Sequence, residues 1–124
     1  MFIAIEGMDG SGKSTQMELL RQYFEQRHQA VVITREPGGT DIGEQIREVL
    51  LRPENRVMAA RTEALLYAAS RAQHVVELIE PALAAGKIVI SDRYVVSSYV
   101  YQGIARGLGL ETVERINQFA INGR

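Results

Sequence analysis

Three short apolar runs recur along the chain, and between them the apolar residues fall at helical spacing. Phe2 to Glu6 is a compact apolar run that stops at Gly7. Ala30 to Thr34 is short and rich in β-branched residues, and Lys87 to Ser91 encloses Ile88, Val89 and Ile90. Short runs of this kind suit strands buried on both faces. From Lys13 to Gln26 the positions Met17, Leu20 and Phe24 mark one face of a predicted helix. Pro37-Gly38-Gly39 reads as a turn, after which Thr40 is the expected cap of a helix over 41–51 that Pro53 ends. A longer helical stretch over 61–85 is expected to divide at Pro81 and stop at Gly86. The remainder, 97–121, reads as helices interrupted by Gly103, Gly107 and Gly109.

Strands alternating with helices predict an α/β fold, a parallel sheet with helices on both faces. In such sheets ligands sit beyond the carboxyl ends of the strands. The three runs lead into Gly7, Arg35-Glu36 and Asp92-Arg93, so a glycine loop and several charges are expected along one edge.

Composition narrows the function without naming it. At 124 residues, 46% apolar and 23% charged, the chain is one domain's worth of ordinary globular sequence. A net charge of −1 and the lack of any Lys/Arg run argue against a dedicated nucleic-acid binder. With no cysteine, disulfides, thiolate metal sites and cysteine nucleophiles are excluded. The first residues show no basic and apolar leader, and no apolar run reaches the ~18 residues of a membrane span. A cytoplasmic location is the expectation.

Gly7-Met8-Asp9-Gly10-Ser11-Gly12-Lys13-Ser14 fits G-x-x-x-x-G-K-[ST], the phosphate-binding P-loop. The chemistry demands these residue types at this spacing. Glycines let successive N–H groups converge on phosphate oxygens, and the following helix aims its N-terminus at the same anion. Lys13 is expected to reach the β/γ-phosphates and the Ser14 hydroxyl to ligate Mg²⁺. An apolar run before the motif and a helical pattern after it supply the context a chance glycine cluster lacks.

Asp92 stands where a P-loop protein keeps its Mg²⁺-associated carboxylate, though an Asp there could also cap the next helix. Arg93 and Arg35 could each fork onto a phosphate or simply be solvated. Glu63, Tyr67, Ser70, Arg71 and His74 share one helix face. An aromatic ring with an Arg one turn later could hold a flat base, and the same pattern also describes an ordinary amphipathic helix. His28 and His74 show no metal pattern and no carboxylate partner in sequence, so both read as structural.

Several motifs together carry a resemblance. They are Ile5-Glu6-Gly7 through Ser14-Thr15, Arg35-Glu36-Pro37-Gly38-Gly39-Thr40, Glu63-Ala64-Leu65-Leu66-Tyr67-Ala68-Ala69-Ser70-Arg71, Asp92-Arg93-Tyr94, and Ser97-Ser98-Tyr99-Val100-Tyr101-Gln102-Gly103. In this order they resemble the bacterial thymidylate kinase (dTMP kinase) family of P-loop nucleoside monophosphate kinases, over essentially the whole chain. The resemblance implies transfer of the ATP γ-phosphoryl to dTMP, giving dTDP and ADP, with Mg²⁺ as cofactor and a homodimer as the common assembly. Gly7 to Thr15 would cradle ATP: Gly7, Met8, Asp9, Gly10, Ser11, Gly12, Lys13, Ser14 and Thr15. Lys13, Asp9 and Arg93 would act in catalysis, and Ser14 and Asp92 would serve the metal. Asp9 would also contact the acceptor's 3′-hydroxyl or the metal region. Arg93 would grip the dTMP phosphate, with Arg35 and Arg47 lining that site. Tyr67 would stack on thymine, Arg71 would bond its edge, and Ser98 would face its pairing edge. Tyr101 would lie under the sugar, with Gln102 beside it.

Two departures accompany the match. Val100 stands where the family usually has Ala. Family members also continue into a lid and further strands of a five-stranded sheet, whereas three strand runs are visible here. The expectation is therefore an N-terminal portion of the kinase domain, over 1–124, weakly active or inactive alone. None of Met8, Asp9, Gly10 and Ser11 is basic, so the arginine for the transferring group would come from a lid. The alternatives are another P-loop nucleotide or nucleoside kinase, a nucleotide switch, or a non-catalytic nucleotide-binding module.

Overall fold

The computed structural model describes residues 1–7, 12–94 and 103–122. Three parallel strands form its sheet: β1 (Phe2–Ile5), β2 (Val31–Arg35) and β3 (Ile88–Asp92), in the order β1-β3-β2. Ile5 and Arg35 both pair with Asp92, so the three carboxyl ends lie level. β3 is central, and Val89, Ile90 and Ser91 are fully buried. This explains an apolar run with no polar alternation, because both of its faces are covered.

Successive side chains of each strand serve opposite faces. On one face Ile88 and Ile90, with Ile3, Ile5 and Val31, pack against Met17, Leu20 and Phe24 of α1 (Lys13–Glu25). On the other, Val89, Phe2 and Val32 meet a cluster containing Val75, Ile79, Tyr94 and Ile121. Fully burying each such aliphatic side chain contributes roughly 1.5–3 kcal/mol. This two-sided core anchors the strand ends that carry the site.

Thr40 caps α2 (Asp41–Leu51) as its sequence predicts, its side chain accepting from the Gly43 N–H, and Asp41 and Glu44 favour the positive helix start. A 3₁₀ turn at Pro53–Asn55 follows. The long helical stretch divides, but one turn earlier than Pro81. α3 (Ala60–His74) passes through a wide π turn at Val75–Ile79 into α4 (Glu80–Ala84), which has Pro81 in its first turn. Within the wide turn the Glu80 N–H bonds the Val75 carbonyl. Pro81 has no N–H to give, so the preceding backbone widens and Pro81 falls where none is needed. Gly86 ends α4 as expected, at φ 78, with its N–H on Leu83 and that of Lys87 on Ala82. The helix after Gly109 is α5 (Leu110–Ile121), and α3 packs against both α2 and α5. No helix among the described residues is long and apolar enough to cross a membrane.

Candidate active site

β1 runs into Gly7, and Gly12, at φ 84, caps α1. The Gln16 N–H already bonds the Gly12 carbonyl, whereas the first N–H groups of α1 have no partner within the helix. Those N–H groups and the positive helix end suit an anion. Lys13 is buried at 6% exposure, and its Nζ lies 2.5 Å from Asp92 Oδ1. A lysine ammonium is buried only when its charge is met, so the end of β3 supplies the counter-charge for the start of α1. Ser14 and Thr15 are exposed on the first turn. Of the remaining P-loop positions, Met8, Asp9, Gly10 and Ser11 lie outside the described residues.

An open cleft of about 640 Å³ lies beside this pair, lined among others by Ser14, Thr34, Arg35, Gly39, Glu44 and Asp92. Arg35 forks onto Glu44 across the cleft wall, Nε to Oε1 at 3.2 Å and a terminal nitrogen to Oε2 at 2.9 Å. The Arg35 hydrogen bond holds the Glu44 carboxyl below its ordinary range, helped by the Gly39 N–H, and in return Glu44 raises Arg35. Arg47 donates to the Pro37 carbonyl at 2.9 Å, holding α2 to the loop that follows β2. Arg93 adopts φ 74, a left-handed conformation costly for a side-chain-bearing residue, and its N–H bonds the Ile5 carbonyl at 2.9 Å. Backbone strain of this kind clusters at functional sites.

α3 presents the predicted face. Ser70, Arg71 and His74 are buried, and Glu63 and Tyr67 are half-buried. Arg71 is 2% exposed and threaded into the carboxyl edge of the sheet. Its Nε donates to Glu36 Oε1 at 2.6 Å, a terminal nitrogen to the Tyr94 carbonyl at 3.1 Å, and the other to Asn117 Oδ1 of α5. Tyr94 in turn gives its N–H to Glu6 at 2.7 Å, so all three strand ends join around Arg71. Ser98, Tyr101 and Gln102 lie outside the described residues.

His74 is a buried structural histidine, as its sequence reads, and its partners come from distant parts of the chain. It has a carboxylate partner, Glu36, whose Oε2 is 2.7 Å from Nδ1, and Nε2 is 2.7 Å from Thr34 Oγ1. Glu36, 38 residues earlier in the chain, is buried at 4% exposure, the common acceptor for Arg71 and His74. Sequence reasoning also passed over Glu44 and Asn117. The place of Glu36 beside Arg35 at a strand end was readable in the sequence, whereas its partners were not. Asn117 carries no sequence signal, since only the packing of α5 on α3 brings it to Arg71.

Mg²⁺ favours a few oxygen ligands together with phosphate oxygens and water. The Ser14 hydroxyl and the Asp92 carboxylate share the cleft beside Lys13, which fits that donor set. No cluster of three or more His, Cys, Asp or Glu residues among the described residues offers a protein-only cage.

The family model described as thymidylate kinase matches residues 5–123. A thymidylate kinase of Halothermothrix orenii is 54% identical over 123 residues, covering 99% of this chain and 59% of the relative. That of Symbiobacterium thermophilum is 59% identical over 120 residues, 97% of this chain and 56% of the relative. The chain therefore spans somewhat under two thirds of these curated relatives. The crystal structure of thymidylate kinase from Ehrlichia chaffeensis superposes with a TM-score of 0.88 at 40% identity, over 98% of this chain and 68% of that one. The P-loop edge and the Arg35–Thr40 turn thus sit within a match that runs almost end to end, and the chain belongs to the thymidylate kinase family.

Proposed function

We propose that this chain forms the nucleotide-binding and acceptor-binding part of a thymidylate kinase, which moves the γ-phosphoryl of ATP to dTMP and releases dTDP and ADP. The observation that carries the reading is the single strand edge where Lys13 meets Asp92 and Arg35 shares their cleft. A nucleotide kinase acceptor is already an oxyanion at neutral pH, so the chemistry needs placement and charge rather than a general base. The loop Gly7, Met8, Asp9, Gly10, Ser11, Gly12, Lys13, Ser14 and Thr15 cradles the ATP phosphates. Ser14 and Asp92 would hold Mg²⁺, which would supply positive charge against those phosphates.

Arg93, Arg35 and Arg47 face the acceptor phosphate, with Asp9 beside the sugar. Tyr67 stacks on the base, Arg71 and Ser98 read its edge, and Tyr101 and Gln102 line the sugar. Met8, Asp9, Gly10 and Ser11 contribute no cation, so on this reading an arginine for the transferring group comes from residues beyond this portion of the kinase. The 124-residue chain by itself then turns over slowly or not at all. A homodimer is part of the proposal. Leu65, Ala69, Ala72 and Val76 recur along one side of the α3 helical stretch, and Leu65 and Val76 are more than half exposed, which suits a self-complementary helix contact. The proposed location is the cytoplasm.

Binding tests this reading without requiring turnover. Thermal stabilisation is measured with dTMP, dUMP, CMP, AMP and GMP, each without ATP. A ligand at 100 times its Kd adds ~2.7 kcal/mol of stability. Selective stabilisation by dTMP is expected. A folded chain that responds to no monophosphate refutes the acceptor assignment, and preference for another monophosphate reassigns the substrate.

A further inference from the structure

We propose that His74 is a positioning residue that sets the base-side Arg71 and the phosphate-side Arg35 relative to each other. The proposal rests on the acceptor-site reading above. The His74 ring is fully buried beneath the turn that follows β2 and touches both arms of that site.

Toward the base side, Nδ1 donates to Glu36 Oε2, and the other oxygen of the same carboxylate receives the Arg71 Nε–H. A carboxylate held at both oxygens has one orientation, so the imidazole determines where Glu36 holds the guanidinium. The other ring nitrogen, Nε2, shares a hydrogen bond with the Thr34 hydroxyl at 2.7 Å. Toward the phosphate side, the turn crosses the ring at a separation only glycine allows. A Cβ on Gly39 would stand 2.6 Å from His74 Cδ2 and 2.7 Å from Nε2. The Gly39 N–H then donates to Glu44 Oε1, and Glu44 forks onto Arg35. One rigid ring thus spaces two arginines that belong to different elements. A ligand held by both gains from that spacing, because a small misplacement of one contact costs the benefit of the other.

Two amides divide the ring's functions. His74→Asn places an amide nitrogen as many bonds from Cα as Nδ1, so it keeps the Glu36 donor and loses Thr34. His74→Gln matches Nε2, keeping Thr34 and losing Glu36. His74→Phe loses both. With dTMP as the probe, His74→Asn should bind within about three-fold of the unsubstituted chain, and His74→Gln and His74→Phe about ten-fold more weakly, as expected for one buried charged partner left unmet. ATP binding in the presence of Mg²⁺ should stay unchanged in all three. A role limited to pinning α3 to β2 would lower thermal stability without separating Asn from Gln in dTMP affinity.

The Arg71 Nε–H resonance gives a second measurement independent of affinity. It should move in His74→Gln and hold its position in His74→Asn. Equal dTMP affinity in the Asn and Gln variants, or an unmoved Arg71 resonance in His74→Gln, overturns the proposal. Loss of ATP affinity in step with dTMP does so as well. If the unsubstituted folded chain binds no dTMP, the acceptor-site reading itself fails. Binding that survives His74→Phe overturns the positioning role alone.

Discussion

Glu36→Ala should be among the most damaging single substitutions in this chain. Glu36 is 4% exposed and accepts from Arg71 at 2.6 Å and from His74 at 2.7 Å. Its removal takes away the carboxylate that accepts from Arg71, a guanidinium 2% exposed that also donates to Asn117 and the Tyr94 carbonyl. Breaking a buried ion pair from one side costs about 3–5 kcal/mol, mostly because the stranded charge stays desolvated. Against a total stability of roughly 5–15 kcal/mol for a domain, that is about a fifth of the whole or more. Glu36→Gln keeps an oxygen for Arg71 and a polar group for His74, so about 1–3 kcal/mol is expected. Urea unfolding followed by far-UV circular dichroism checks this, with the loss appearing in the midpoint and the slope unchanged. Glu111→Ala is the internal control. Its partner Arg115 is 79% exposed, Glu111 itself 80%, and such a pair contributes little. If Glu36→Ala unfolds no earlier than Glu111→Ala, the buried network does not organise the strand edge and the argument is wrong.

Two further outcomes follow from local geometry and electrostatics. His28 ends α1 at φ 61, with its N–H on Glu25 and that of Gln29 on Phe24, the same double bond that closes α4 at Gly86. His28→Gly should therefore stabilise by about 0.5–1 kcal/mol, and a lower unfolding midpoint would contradict it. Glu44 has its carboxyl lowered by Arg35, so the pair contributes at neutral pH and is lost as pH falls through and below the ordinary carboxylate range. A carboxyl titration followed by nuclear magnetic resonance should show Glu44 protonating at lower pH than an ordinary glutamate. In Arg35→Met that difference should shrink, leaving the smaller contribution of the Gly39 N–H.

How much of this was legible beforehand depends on the range of the interaction involved. Strands, the Thr40 cap and the Gly86 stop follow from residues within a turn or two of each other, and the shared edge of Gly7, Arg35 and Asp92 follows from the alternation of strands and helices. β2 and β3 each lie one residue later than their apolar runs, because pairing continues while the backbone still finds a partner. Arg35 against Asp92 is the last such pair on β2. The early widening of the long helix at Val75–Ile79 also lay beyond a reading that treated Pro81 as the break itself.

The P-loop residues needed only their spacing, since a phosphate cradle is built from consecutive backbone N–H groups and the helix that follows. The remaining parts of the site had no local cause. Lys13 meets Asp92 because parallel pairing sets β1 beside β3, and Arg71 meets Glu36 and Asn117 across 35 and 46 residues of chain. His74 reads as a structural histidine in one dimension. In three it joins the turn after β2 to α3, because burial leaves its two ring nitrogens no partner but the groups the fold brings there. Sequence alone determined which chemistry was available at the strand edge, and tertiary packing decided which charges face each other across it.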